Sequence, residues 1–214
     1  MPFQGARPRP PIAREGWGYT IGLFVLGGGS LLLGGQTWAL FFFLLAFFVA
    51  FFFRDPIRVP PDDPVAIVSP ADGRVIAIEQ KSDGGKMIGI FLSIYNVHIN
   101  RSPVKGAIHQ MAYREGRFLA AFNKEAAQAN EQNAIDIRTD SGENFRVVQI
   151  AGLIARRIVC WKKEGEQLDR GERLGLIQFG SRTDLHLPPG YEVTVEKGTA
   201  VRGGETTVAR PTQR

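Results

Sequence analysis

From Tyr19 to Phe53 the chain runs 35 residues without a charge. That stretch constrains the fold more than any other feature. Ordinary globular helices span roughly 8–20 residues, and a bilayer span takes about 20 apolar ones. The run is too long for one ordinary span and short for two. Gly27-Gly28-Gly29-Ser30 and Gly34-Gly35-Gln36 interrupt it, and either can hold a turn. Trp38 to Phe53 is the more apolar half. Arg7, Arg9 and Arg14 come before the run, and Arg54 and Arg58 after it. Basic flanks on both sides predict a helical hairpin with both ends in the cytoplasm. A single tilted span is the alternative, and a cleaved signal peptide fits poorly because the apolar region is too long. The expected organisation is a basic N-terminus over 1–18 and a membrane anchor of one or two helices over 19–53. The anchor would place the chain at the cell (inner) membrane, with the remainder on the cytoplasmic side.

Arg54-Asp55-Pro56 and Pro60-Pro61-Asp62-Asp63-Pro64 stop the helix, since proline cannot continue it. A stiff linker is expected over 54–64 and a β domain over 65–214. Val65–Ser69, Gly73–Glu79 and Met87–Ser93 read as short strands, with turns at Asp72-Gly73 and Asp83-Gly84-Gly85. Ala134–Thr139, Asn144–Ala151 and Ile158–Trp161 resume the pattern. One helix is predicted, Arg117–Asn130, with Phe118, Ala121, Phe122 and Ala126 on one face. The fold class is therefore mainly β (α+β).

An internal repeat refines this reading. Gly165-Glu166-Gln167-Leu168-Asp169-Arg170-Gly171-Glu172 and Gly198-Thr199-Ala200-Val201-Arg202-Gly203-Gly204-Glu205 share the pattern G-x-x-[LV]-x-x-G-E. Each predicts a glycine-bounded turn that plugs one apolar side chain into a core. The pattern resembles the hammerhead turns of biotinyl and lipoyl domains, which implies a barrel-sandwich-hybrid-like domain. Ser69-Pro70-Ala71-Asp72-Gly73 looks like the opening of one half. In a carrier domain the link between the halves presents a lysine. Here that link, Gln178 to Leu187, has none and holds Gly180-Ser181 instead. A carrier role is disfavoured.

Composition narrows the function classes. The 26 Lys+Arg against 21 Asp+Glu leave a net +5, which favours an anionic partner. Phenylalanine clusters before residue 54, so the aromatics do not form a base-stacking platform and no nucleic-acid partner is expected. Cys160 is the only cysteine, so neither an internal disulfide nor a multi-cysteine metal site is possible. His98, His109 and His186 lack the spacing of a metal motif, and no metal is expected.

A Gly-Ser pair between two strands is ordinarily a turn. It has a second option when the backbone is distorted. The serine Oγ can attack the preceding carbonyl, turning the Gly180-Ser181 amide into an ester. β-Elimination then leaves dehydroalanine at 181, which hydrolyses to a pyruvoyl group and ammonia. A histidine oriented by a carboxylate is the usual base for such a hydroxyl. Asp72 and His98 are candidates, and spacing alone does not prefer them to Asp184 and His186.

Several segments together resemble the pyruvoyl-dependent phosphatidylserine decarboxylases, in particular their short bacterial and archaeal branch. They are Phe52-Phe53-Arg54-Asp55-Pro56, Ser69-Pro70-Ala71-Asp72-Gly73, Asn96-Val97-His98-Ile99-Asn100-Arg101, Asn130-Glu131-Gln132-Asn133 and Phe179-Gly180-Ser181-Arg182. The resemblance covers about residues 14 to 208. It implies Asp72, His98 and Ser181 as the self-processing triad, with Ser181 converted to a covalent pyruvoyl cofactor and Asp72 holding the His98 tautomer. It also implies a phospholipid substrate bound through a Schiff base, with His98 returning the proton, and association of fragments 1–180 and 181–214. Tyr95 stands where longer family members carry a second histidine, and its role is open. Arg182 reads either as a phosphate contact or as a solvated turn residue. Homo-oligomerisation stays open, as does the choice between a phosphatidyl and an archaetidyl lipid.

Two other classes remain in view. A membrane-anchored serine hydrolase could use the same Ser181, His98 and Asp72, although no Gly-x-Ser-x-Gly elbow surrounds Ser181. A non-catalytic, membrane-tethered β adaptor would be indifferent to Ser181.

Overall fold

The computed structural model describes residues 10–119, 126–153, 157–178 and 180–212. The chain divides into two compact units, Met1–Ile57 and Arg58–Arg214. In the first, α1 (Arg14–Leu32) and α2 (Gln36–Phe52) pack as a hairpin. The turn falls at Gly34-Gly35, and Gly27-Gly28-Gly29 stays inside α1. Small residues let the helices close together. A Cβ on Gly16 would come within 2.5 Å of Phe53, and one on Gly27 within 2.6 Å of Phe43. The Ala13 N–H donates to the Phe53 carbonyl at 2.8 Å and closes the base of the hairpin.

The expected membrane-spanning segment is not supported. No helix among the described residues is long and apolar enough to cross a membrane. The 17 residues of α2 reach about 25 Å, short of a hydrocarbon core of about 30 Å. The longer α1 is diluted by six glycines, Thr20 and Ser30. The pair still exposes Trp38, Phe41, Leu44 and Phe47 from α2, and Ile21, Val25 and Leu26 from α1.

The second unit is mainly β, as expected. Its strands in chain order are β1 (Ile67–Val68), β2 (Gly73–Gln80), β3 (Lys86–Leu92), β4 (Ile99–Arg101) and β5 (Gly106–Arg114). After α3 (Ala126–Ala129) come β6 (Gln132–Arg138), β7 (Asn144–Ile150), β8 (Ile158–Cys160), β9 (Gln167–Leu168) and β10 (Arg173–Ile177). The chain ends with β11 (Ser181–Leu187), β12 (Tyr191–Val193), β13 (Ala200–Val201) and β14 (Thr207–Pro211). The main sheet has the order β13-β2-β3-β11-β7-β6-β5-β9, and two three-stranded sheets, β1-β14-β12 and β4-β10-β8, complete the unit.

The main sheet is two matching halves joined at β11 and β7. Each repeat supplies a two-residue strand at one end of it. Val201 pairs with Gly73 and Leu168 with Gly106, and both apolar side chains are buried in one core. The correspondence extends beyond the repeat that the sequence suggested. Ser102-Pro103-Val104-Lys105-Gly106 copies Ser69-Pro70-Ala71-Asp72-Gly73. The Ser69 hydroxyl donates to the Ala71 carbonyl at 2.7 Å, and that of Ser102 to the Val104 carbonyl at 2.6 Å. A Cβ on Gly73 would strike the Phe91 carbonyl, and one on Gly106 the Arg138 carbonyl.

The predicted helix Arg117–Asn130 is corrected. Within this segment only Ala126–Ala129 are helical among the described residues, and residues 120–125, which include Ala121 and Phe122, lie outside the description. Arg117 bridges to Asn130, and the Asn130 side chain bonds both the N–H and the carbonyl of Leu119. These long-range bonds override helix propensity. Phe118 packs against the small cluster of Ala151 and Ile177.

Candidate active site

Alternation along a strand puts Ser181, Thr183, Leu185 and Leu187 on the interior face of β11 and Arg182, Asp184 and His186 on the other. The interior changes character along its length. Leu187, Leu185, Phe145, Val147, Ile137 and Ile135 belong to the apolar core. The next interior positions on β11, β7 and β6 are Thr183, Gln149 and Asn133, which are cross-strand neighbours. Their side chains join Asn100 in a buried chain. Asn133 donates to Gln149 at 3.0 Å, Gln149 to Asn100 at 2.9 Å, and Asn100 to Thr183 Oγ1 at 2.9 Å. Connected polar groups are what make such an interior tolerable. Sequence reasoning missed this network. Its signal is polar residues that continue an apolar alternation.

Ser181 lies beyond Thr183 at the start of β11, 0% exposed, and its Oγ has no hydrogen-bond partner among the described residues. A buried hydroxyl without a partner is costly, and sites of chemistry are where such groups persist. Gly180 has φ +64°, and a Cβ there would meet nothing within 4 Å. The left-handed backbone, not crowding, is what favours glycine.

His98 is brought to this point by β4 and β10. Ile177 N–H donates to the His98 carbonyl at 3.2 Å, extending the pairing of the two strands. The His98 ring contacts the main chain on both sides. Nδ1 lies 2.9 Å from the Asn96 carbonyl and Nε2 accepts from Gly180 N–H at 3.4 Å. A carbonyl can only accept and an amide N–H can only donate. Both contacts therefore assign the proton to Nδ1 and a proton-accepting lone pair to Nε2. That nitrogen faces the peptide one bond ahead of Gly180-Ser181. The tautomer expected to depend on Asp72 has a main-chain acceptor, the Asn96 carbonyl.

The segment of Asp72 runs beside the strand that follows His98. Arg101 N–H donates to the Pro70 carbonyl at 2.8 Å, alongside β4. The Asp72 carboxylate accepts from Arg58 at 2.7 Å and from Gly203 N–H at 2.8 Å. Tyr95 is exposed in the turn where Asn96 caps Ser93. Arg182 is neither solvated nor on the Ser181 face. It is 4% exposed and bonds Asp184 at 2.6 Å across the sheet from Ser181. Burial pushes the Asp184 carboxyl up, and the Arg182 hydrogen bond and charge oppose that rise. Burial also raises the half-buried Cys160 thiol, which suits an inert side chain. Among the described residues no group of three or more His, Cys, Asp or Glu side chains is placed to hold a metal ion.

Comparison with known proteins identifies the lineage of this arrangement. The family model described as phosphatidylserine decarboxylase matches residues 44–209. The chain belongs to that family. A relative from Nitrosomonas eutropha, named phosphatidylserine decarboxylase proenzyme, is 46% identical over 207 residues, covering 94% of this chain and 96% of its own. Relatives of the same name from Ralstonia pickettii and Desulfotalea psychrophila are 44% and 40% identical, with the same coverage. The family match contains Asp72, His98, Gly180 and Ser181.

Proposed function

We propose that this chain decarboxylates phosphatidylserine to phosphatidylethanolamine, in phospholipid biosynthesis, through a pyruvoyl group made by its own cleavage between Gly180 and Ser181. One observation carries the reading: the buried Ser181 hydroxyl, without a hydrogen-bond partner among the described residues, belongs to the residue that follows Gly180, whose N–H donates to the proton-accepting nitrogen of His98. The relatives' shared name, with its word proenzyme, supports it.

His98 takes the Ser181 Oγ proton as Oγ adds to the Gly180 carbonyl. The C–N bond breaks, leaving an ester and a free amine on Ser181. Loss of the Ser181 Cα proton then breaks the Cβ–Oγ bond, so Gly180 leaves as a carboxylate that keeps the serine oxygen. Water replaces the nitrogen of the resulting dehydroalanine and ammonia departs. The pyruvoyl group at the head of fragment 181–214 supplies an electrophile for the substrate amine and a sink for the electrons released with carbon dioxide. His98 then delivers a proton to the substrate α-carbon, and Asp72 supplies negative charge to balance the imidazolium.

The surroundings suit such a group. Ser181 opens a strand held on both sides by β3 and β7, so fragment 181–214 stays bound after the cut. The paired halves support reading the β unit as a barrel-sandwich hybrid. We further infer that the exposed apolar hairpin anchors the protein by lying in one leaflet of the cell membrane, with both ends on the cytoplasmic side.

Intact mass under denaturing conditions tests the mechanism. Two fragments are expected, one ending at Gly180 and one beginning with a pyruvoyl-blocked residue 181. A single unmodified chain from an active preparation would overturn the pyruvoyl mechanism and promote the serine hydrolase reading. Indifference of every activity to Ser181→Ala would favour the adaptor.

A further inference from the structure

Asp72 is held from two directions that lie far from it in sequence. Oδ1 accepts from the main-chain N–H of Gly203 at 2.8 Å, and Oδ2 from the Arg58 guanidinium at 2.7 Å. Arg58 is the first residue of the β unit. Its other terminal nitrogen bonds Glu205 at 2.9 Å, and Arg202 stands 4.0 Å from the same carboxylate. The Arg58 and Asp72 side chains are only 10% and 12% exposed. A buried ion pair of this kind is weak evidence for stability, because desolvation offsets most of the attraction. Some other reason for its presence is needed.

The matching half of the sheet removes the architectural reason. There the serine-proline turn, the close glycine and the apolar plug are all reproduced. Yet Lys105 stands where Asp72 does and is exposed to solvent, and Arg170 replaces Gly203. Arg170 spends its donors on the carbonyls of Pro61, Asp63 and Ala66. The fold therefore forms this corner without a carboxylate or its arginine. The charged version occurs in the half that contains β11 and Ser181.

We propose that Arg58 is a positioning residue for self-cleavage, acting through Asp72. Gly203 N–H and the guanidinium between them engage both carboxylate oxygens and fix the plane of the group, with Glu205 bracing Arg58 from behind. The first residue of the β unit thereby becomes part of the processing machinery. This inference rests on the proposed self-cleavage and on the place of Asp72 in the self-processing triad that the family resemblance implies.

The test follows cleavage of freshly synthesised full-length chain into 1–180 and 181–214 by denaturing gel, over minutes to days, in wild type, Arg58→Gln, Asp72→Asn and the double variant. The expected result is that Arg58→Gln slows cleavage by roughly 10- to 100-fold, the range of a misplaced supporting group. In the Asp72→Asn background it should add nothing, because interacting residues are non-additive. A merely structural role would slow both backgrounds by the same factor, and that result would overturn the proposal. Wild-type cleavage in Arg58→Gln with slow cleavage in Asp72→Asn would also overturn it while leaving the Asp72 assignment standing. Normal cleavage in Asp72→Asn would overturn the assignment and the inference together. If Arg58→Gln does not fold, Arg58→Lys carries the test. It can reach one carboxylate at a time, and should cleave several-fold slower than wild type alone and at an unchanged rate beside Asp72→Asn.

Discussion

At the residue scale, the two histidines near β11 divide their work by environment. His98 has main-chain contacts on both ring nitrogens, so its tautomer is set before any reaction. His98→Gln should fold and still slow self-cleavage by about 10²- to 10⁴-fold, the usual contribution of a positioned general base. Gel quantitation of uncleaved chain over days, beside a thermal melt, checks both halves of that expectation. His186, on the outer face of β11, has no partner for its buried Nδ1 among the described residues. Its pKa is lowered to about 4, first by burial and then by the charges of Lys81, Arg146 and Arg182, with Asp136 opposing. The folded state thus prefers neutral His186, and between about pH 6.5 and 4 the unfolded chain binds more protons. Stability should fall as pH falls through that window, by about 3 kcal/mol at most. The fall should be smaller in His186→Gln, as read from Tm against pH.

At the scale of elements, the repeats do the closing. Leu168 and Val201 are each the single apolar residue that a two-residue strand delivers to the core. Leu168→Ala should cost about 2–5 kcal/mol, and Val201→Ala less because fewer methyl groups are lost. Urea denaturation of Ser181→Ala chains checks this without interference from cleavage. These turns were legible because their pattern is local: glycine, an apolar residue, glycine, acid. Arg117–Asn130 was misread for the opposite reason. Its composition suits a helix, but Asn130 holds Leu119 and Arg117 holds Ala129 through bonds that no local pattern announces.

For the whole molecule, the consequential feature is an apolar hairpin attached in sequence to a β unit that seals Ser181 in its interior. If the hairpin lies in one leaflet, Phe41→Glu with Phe47→Glu should abolish flotation with anionic phospholipid vesicles. Self-cleavage in the same preparation should be unchanged, because it needs only the β unit. Flotation equal to wild type would remove the anchor from those residues.

Asp72, His98 and Ser181 entered as candidates because reactive residue types stand in short motifs that resemble a known family, while spacing alone did not prefer Asp72 and His98 to Asp184 and His186. The 35-residue uncharged run and the alternating strands likewise announced a hairpin and a mainly β unit through local hydrophobic periodicity. What the tertiary structure decided is who meets whom. Gly203 reaches Asp72 across 131 positions, and Gly180 reaches His98 across 82. The amide chain from Asn133 to Thr183 exists only because β6, β7 and β11 align in one register and a second sheet brings Asn100 on β4 against them. The side of β11 that receives Ser181, and therefore the side denied to Arg182, follows from the same alignment. Pairing across such distances depends on the sum of every strand contact, and no window of sequence contains that sum.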